Sequence, residues 1–271
     1  MRDTENATAV ADLYRGFLGR EPDPSAETMI KALDEGTVTF PQIINAFLRS
    51  PEFGLVRETR RKADSLTNDQ TQFGEFMILL TRMLRTDGQR VIVDVGARGK
   101  ERSNSYDLLK SFGWRGILVE ANPALADQIR IDFAGLDVAL EVCAASDFEG
   151  EATFHIGVND DVSSLNQAAS LGWGETLGEI TVKVVRLPTL LERHGVSRDF
   201  DLLSIDIEGE DIKVLNDTVA AGWTPRWVII EASNDFIVKT LEDAPFSEGV
   251  RSAYSIVGQT CANLILERKE S

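Results

Sequence analysis

The sequence is sparing with the residues that mark several functional classes. Its 271 residues include two cysteines and two histidines. Cys143 and Cys261 sit in apolar, strand-like surroundings and read as reduced, buried thiols, not as a disulfide framework. His155 and His194 are far apart in the chain, so no catalytic or metal role is assigned to them. Basic residues are outnumbered, 28 against 44 acidic, which leaves a net charge of −16. That balance argues against a nucleic-acid binder, which carries a basic face. No apolar run approaches 18 residues, so no membrane-spanning helix is expected. The stretch Met1 to Asn6 is polar, with no apolar segment of signal-peptide type behind it, so a cytoplasmic location is expected. Internal repeats and low-complexity segments are missing as well.

Also missing is the Gly-x-Gly-x-x-Gly spacing that seats a dinucleotide pyrophosphate on a helix N-terminus. In its place stands Val91-Ile92-Val93-Asp94-Val95-Gly96-Ala97-Arg98-Gly99. The Val/Ile run predicts a strand buried on both faces. Gly96 and Gly99 let the backbone turn and approach a ligand closely. A helix is expected over 101–112, with Tyr106, Leu108, Leu109 and Phe112 inward. Strand, glycine turn and helix together cradle a nucleotide in open α/β sheets. Asp94 at the turn would repel a pyrophosphate. It suits S-adenosylmethionine, which carries a sulfonium and an ammonium group and no phosphate. A nicotinamide oxidoreductase is therefore disfavoured.

Other strand ends supply matching groups. Glu120, in Val119-Glu120-Ala121-Asn122-Pro123, is placed to accept hydrogen bonds from ribose hydroxyls. Asn122 reads as the cap of the helix that Pro123 opens, and as a further cofactor-side residue. Ala144 and Ser146, after the third strand, leave room for an adenine ring and offer it a polar group. In Ser204-Ile205-Asp206-Ile207-Glu208-Gly209-Glu210-Asp211, Asp206 and Glu208 share a face by the two-residue period of a strand. Glu231 ends the next strand at a matching height. Three converging carboxylates need an offset: the sulfonium, a proton held by one acid acting as general base, or a divalent cation such as Mg²⁺. Asp206 is the first candidate for the base, then Glu208 and Glu231. Glu210 and Asp211 read as dipole partners of the helix they open. A loop spanning 159–178, with Trp173 at its centre, has the length of a lid, and Ser163 and Ser164 lie in it.

The chain divides into a helical segment over 1–65 and an alternating α/β segment over 66–271, with 63–70 as the polar linker. In the first, Val10, Leu13, Tyr14, Phe17 and Leu18 form an amphipathic stripe that Gly19 ends. Gly36 ends a second helix, Phe40-Pro41 starts a third, and Ser50-Pro51 caps a fourth, which carries a charged run over 57–62. In the second segment strands and helices alternate, which predicts a mostly parallel sheet. The last two strands, over 254–257 and 262–266, follow closely enough for an antiparallel hairpin.

Two resemblances add to this reading. Leu13-Tyr14-Arg15-Gly16-Phe17-Leu18-Gly19-Arg20-Glu21-Pro22-Asp23 with Ala46-Phe47-Leu48-Arg49-Ser50-Pro51-Glu52-Phe53 is similar to a small helical bacterial domain related to phycobilisome linkers. It implies a module that contacts a protein partner or mediates oligomerisation. From residue 90 onward the chain resembles the FkbM family of S-adenosylmethionine-dependent methyltransferases. The matching residues are Asp94-Val95-Gly96-Ala97, Val119-Glu120-Ala121-Asn122-Pro123, Glu149-Gly150-Glu151-Ala152-Thr153-Phe154, Ser163-Ser164-Leu165, Leu187-Pro188-Thr189-Leu190 and Ile205-Asp206-Ile207-Glu208-Gly209-Glu210-Asp211. The resemblance implies a Rossmann-like class I methyltransferase fold, with a seven-stranded sheet. It also implies O-methylation of a sugar, glycan or natural-product hydroxyl. The chain departs from the family pattern, which commonly has Asn at Arg98, Gly at Lys100, Lys at Ser204 and a His near Ser233 and Asn234. These departures motivate an alternative, a catalytically degenerate binding protein in a glycan-assembly complex.

Overall fold

The computed structural model describes residues 5–54, 69–83, 88–157, 163–167, 176–231, 240–260 and 262–270. The charged run over 57–62, Trp173 with most of its loop, Ser233, Asn234 and Cys261 lie outside the described residues.

The helical segment forms α1 (Glu5–Leu13), α2 (Ser25–Asp34) and α3 (Phe40–Arg49). The amphipathic stripe does not stay α-helical to its end. Tyr14–Leu18 is a π-helical turn, closed by Gly19 in the left-handed region at φ 67°. That turn carries Gly16, where a side chain would run into the Phe112 ring. Thr39 and Gln42 form a capping box at the start of α3. The Ser50 hydroxyl accepts the Phe53 backbone N–H at 3.0 Å, as the cap reading expects. Tyr14 packs edge-on against Phe47, with ring centres 5.0 Å apart.

The alternating segment begins with α4 (Glu75–Met83). It then runs β1 (Val91–Val95), α5 (Tyr106–Phe112), β2 (Arg115–Glu120), α6 (Ala126–Asp132), β3 (Val138–Val142), β4 (Ala144–Ser146), β5 (Gly150–Gly157) and β6 (Thr176–Arg186). The remainder is α7 (Leu187–Arg193), β7 (Leu202–Ile205), α8 (Asp211–Ala220), β8 (Trp227–Glu231), α9 (Glu248–Ala253), β9 (Tyr254–Gln259) and β10 (Asn263–Arg268).

Seven strands form one sheet in the order β3-β2-β1-β7-β8-β10-β9. Neighbours are parallel except at β10, which runs antiparallel to both β8 and β9. This is the mostly parallel sheet with a terminal antiparallel hairpin that the sequence predicts. The hairpin is not simply appended, because β10 inserts between β8 and β9. Strand order reverses between β1 and β7, the place where open α/β sheets bind ligands.

Alternate residues of each central strand enter different cores. Ile92, Leu118, Leu202 and Ile229 join the helical segment, α4, α5 and α6 on one face. Val93, Val119, Leu203 and Ile230 join α7, α8 and α9 on the other. Two-residue alternation explains why the strands read as unbroken apolar runs.

Some boundaries differ from the sequence reading. The helix expected from residue 101 begins at Tyr106, because the Ser103 hydroxyl accepts the Ser105 and Tyr106 N–H groups and holds the preceding residues in a turn. The strand expected to carry Asp206 and Glu208 on one face ends at Ile205, where the chain turns, so both acids lie beyond it. The third strand stops at Val142, and Ala144–Ser146 leaves the main sheet to pair with β6 in a smaller sheet ordered β4-β6-β5. Nothing in hydrophobic spacing separates those two strands.

The helical segment shares its apolar cluster with the sheet. One ion pair crosses that contact: Asp12 is buried, and Arg90 reaches it at 2.5 Å. Burial raises the Asp12 pKa, and Arg90 opposes that rise. Arg90→Met removes the cation and leaves a buried acid. The expected cost is about 1–3 kcal/mol at neutral pH, shrinking as the pH falls through the raised pKa of Asp12 and lost near its ordinary value, measured by urea unfolding across pH. A loss that does not change with pH would show that Arg90 acts only through packing.

Candidate active site

β1 ends in a turn that local residue choice dictates. Gly96 has φ 90°, a conformation that L side chains rarely adopt. A Cβ there would also collide with the Asp206 carbonyl oxygen. The turn is tied to both neighbouring strands. The Gly96 and Ala97 N–H groups donate to Val119 O at 2.8 and 3.0 Å, and the Asp206 N–H donates to Val95 O at 2.9 Å. A cleft opens above these strand ends. Its walls include Asp94, Gly96, Ala97, Gly99, Glu120 and Ala144, with Asp206 and Glu208 across from them.

Asp94 lines the cleft but is largely committed inward. The Ser105 hydroxyl donates to its Oδ2 at 2.6 Å, and Ser204 supplies a second hydroxyl. Burial raises the Asp94 pKa, and these two hydroxyls oppose the rise. Asn104 Nδ2 in turn donates to Ser204 Oγ at 3.0 Å. Ser103, Asn104, Ser105 and Ser204 form a polar network under the turn that the sequence reading did not find. The one available signal was the Ser-x-Ser spelling before α5, a helix cap.

Glu120 is buried at the end of β2, and burial pushes its pKa up to about 7 against backbone N–H groups that pull it down. Asn122 is placed beside it, but its side chain accepts the Ala124 N–H at 3.0 Å and caps the short helix over Pro123–Leu125. Its side chain is spent on the cap and lies off the cleft wall. Ser146 is fully buried and donates to Glu210 at 2.7 Å, joining β4 to the loop after β7. It too lies off the cleft wall. Ala144 does line the cleft, together with Ala145 and Phe154.

The loop after β7 holds its acids through its own hydrogen bonds. Asp211 accepts the N–H groups of Ile207 and Gly209, both at 2.9 Å. Glu208 adopts φ 57°, uncommon for a residue with a side chain. The buried hydroxyl of Ser164 donates to the Glu208 carbonyl at 2.7 Å, and Ser164 pairs with His155 of β5. Ser164 thus reaches the site through Glu208's backbone. His155 faces Glu179 and His194 faces Glu141, both away from these acids.

Asp206, Glu208 and Glu231 come together, the first two from the turn that follows β7 and the third from the end of β8. Each offers a carboxylate oxygen, and the three atoms lie within 4.8 Å of one another. Burial raises the Asp206 pKa well above the ordinary value, with Asp211, Glu231 and Asp94 adding repulsion. Burial and the charges of Asp211 and Glu208 push Glu231 up to about 8. Such a cluster holds a proton at neutral pH or attracts a cation. Three hard oxygen donors at this spacing also fit a divalent ion.

Residues 94–246 match the model of the Methyltransferase FkbM domain, which spans more than half of the chain. No curated protein matches the sequence. Among solved structures, a provisionally assigned O-methyltransferase from Klebsiella pneumoniae is similar at 15% identity, covering 85% of this chain and 96% of that one, with a TM-score of 0.37. An O-methyltransferase from Bacillus cereus in complex with SAH is similar at 15% identity, covering 98% and 99%, with a TM-score of 0.38.

Two outcomes follow from the turn and its acids. Gly96→Ala forces both strain and a clash, and is expected to lower unfolding stability by about 2 kcal/mol or more, read by urea titration. Glu120 holds its proton more tightly when folded than when unfolded, so it weakens folding as pH rises from about 4.5 to 7. Glu120→Gln should therefore match the parent below pH 4.5. Above pH 7.5 it should exceed the parent by on the order of 3 kcal/mol. Curves that stay parallel at all pH would contradict the burial of a titrating acid.

Proposed function

The chain belongs to the methyltransferase FkbM domain family, and from that premise we propose that it transfers the methyl group of S-adenosylmethionine to a hydroxyl of a sugar, glycan or natural product. The observation that carries this reading is the acidic, phosphate-repelling rim around the glycine turn at the β1/β7 reversal. Glu120 would hold the ribose, and the small residues Gly96, Ala97, Gly99 and Ala144 would admit the nucleoside. Asp94 and its serine partners would keep the turn in shape. The bound donor supplies a methyl group already activated by its sulfonium charge, so positioning the acceptor is the protein's main task.

Asp206 takes the acceptor proton in this reading. It is buried among like charges, which raises its proton affinity toward the working range of a general base. Glu208 and Glu231 flank it and set that affinity. The same three oxygens could hold Mg²⁺, which would lower the acceptor hydroxyl's pKa instead. The helical segment over 1–65 would serve as a contact surface for a partner or a second copy.

Asp206→Ala should bind S-adenosylhomocysteine within about threefold of the parent by calorimetry. It should lose at least about a hundredfold in turnover against a panel of sugar acceptors. Turnover unchanged by the substitution would remove Asp206 from the chemistry. Activity insensitive to EDTA would assign the three acids to proton transfer, and activity restored by Mg²⁺ would assign them to a metal. A parent protein that binds no S-adenosyl nucleoside at high micromolar concentration would leave the degenerate binding-protein reading in its place.

A further inference from the structure

The cleft's described walls carry six carboxylates and two guanidinium groups, those of Arg98 and Arg102. A donor of the proposed kind brings two cationic groups, which the acids suit, and one carboxylate, which they repel. A guanidinium on the wall is the cation that could receive that carboxylate. The two arginines are placed differently. Arg98 lies on the β2 side, where its charge acts on Glu120. The loop then crosses toward β7, where Asn104 donates to Ser204. Arg102 lies on that crossing, toward the side where Asp206 stands.

Arg102 is also held in a costly shape. Its φ is 63°, in the left-handed region, which for a non-glycine residue costs on the order of 1 kcal/mol. A segment from outside the family-matched span pairs with it. Thr71, buried, forms an isolated parallel bridge with Arg102. Thr71 is itself anchored by Asp69, and the Gln70 N–H donates to Asp107 of α5 at 2.9 Å. Gln72, next in this strap, lines the same cleft. Backbone strain, a strap paired with it and a cleft-wall position thus meet at one arginine.

We propose that Arg102, held by the Asp69–Gln72 strap, is a ligand-binding residue that receives an oxyanion in the cleft, and that this oxyanion is the α-carboxylate of the methyl donor. Gln72 supplies a neutral donor beside it. The inference rests on the S-adenosylmethionine reading above. With the ribose at Glu120, a donor tail extended across β1 toward the β7 side would bring its carboxylate toward the loop that carries Arg102. A guanidinium recognises a carboxylate through two parallel N–H donors, which a lysine matches less well.

The test compares S-adenosylmethionine with its decarboxylated form, which keeps the sulfonium and the amine. The parent should prefer the carboxylated donor by about tenfold to a hundredfold in calorimetry. Arg102→Met should erase that preference, weakening S-adenosylmethionine while leaving the decarboxylated donor within about twofold. Arg102→Lys should fall between the two. Gln72→Ala, which leaves the strained backbone untouched, should lose a smaller part of the same preference. If Arg102→Met weakens both donors equally, or neither, the proposal is overturned and the anion belongs to the acceptor or to no ligand. A parent that binds neither donor overturns instead the methyltransferase reading on which the inference stands.

Discussion

The site depends on one close approach. The β1 turn and the loop after β7 meet where Gly96 lies against the Asp206 carbonyl, with Asp206 N–H bonded to Val95 O. A side chain at residue 96 would separate the two loops. Because they meet, the glycine turn and the acids Asp206 and Glu208 share one cleft. The strand order supplies the opening, since β2 and β7 leave β1 on opposite sides. Backbone geometry at a single glycine therefore sets the relative position of everything else that the cleft presents.

The second constraint is electrostatic. Asp94, Glu120, Asp206 and Glu231 are all shifted toward holding protons, and in each case burial is the first cause. They differ in what offsets it. Asp94 has two hydroxyls and Glu120 has backbone N–H groups, so each is built into the frame. Among the described residues, Asp206 and Glu231 meet further repulsion from neighbouring acids. This separates acids bound into the frame of the turn from acids that face like charges. The empty electrostatic balance is also what makes a cationic ligand favourable at this site.

The helical segment is part of this frame and not a loose appendage. It shares an apolar cluster with the sheet, its Asp12 pairs with Arg90 at the start of β1, and Gly16 accepts the Phe112 ring of α5. The strap at Asp69–Gln72 carries the chain from that side to the cleft edge. Residues before the family-matched span thereby support the loop that follows β1.

Local chemistry determined much of this protein. The buried strand at Val91–Val95, the left-handed glycines, the caps at Thr39 and Ser50, and acids at strand ends are all written in short-range residue choice. The acids Asp206, Glu208 and Glu231 were legible as a group at neighbouring strand ends, but β7 stops at Ile205 and the turn after it, not period two, places Glu208. Tertiary structure decided what those signals leave open. It gave Asn122 to a helix cap and Ser146 to Glu210, because hydrogen-bond partners depend on which strands become neighbours. It split Val138–Ser146 between two sheets, since one apolar run can satisfy either. It set Asp94 against Ser105 and Ser204 and brought Thr71 to Arg102, contacts between segments far apart in the chain. Periodicity reports which face a residue takes, and only the packed chain reports what it meets there.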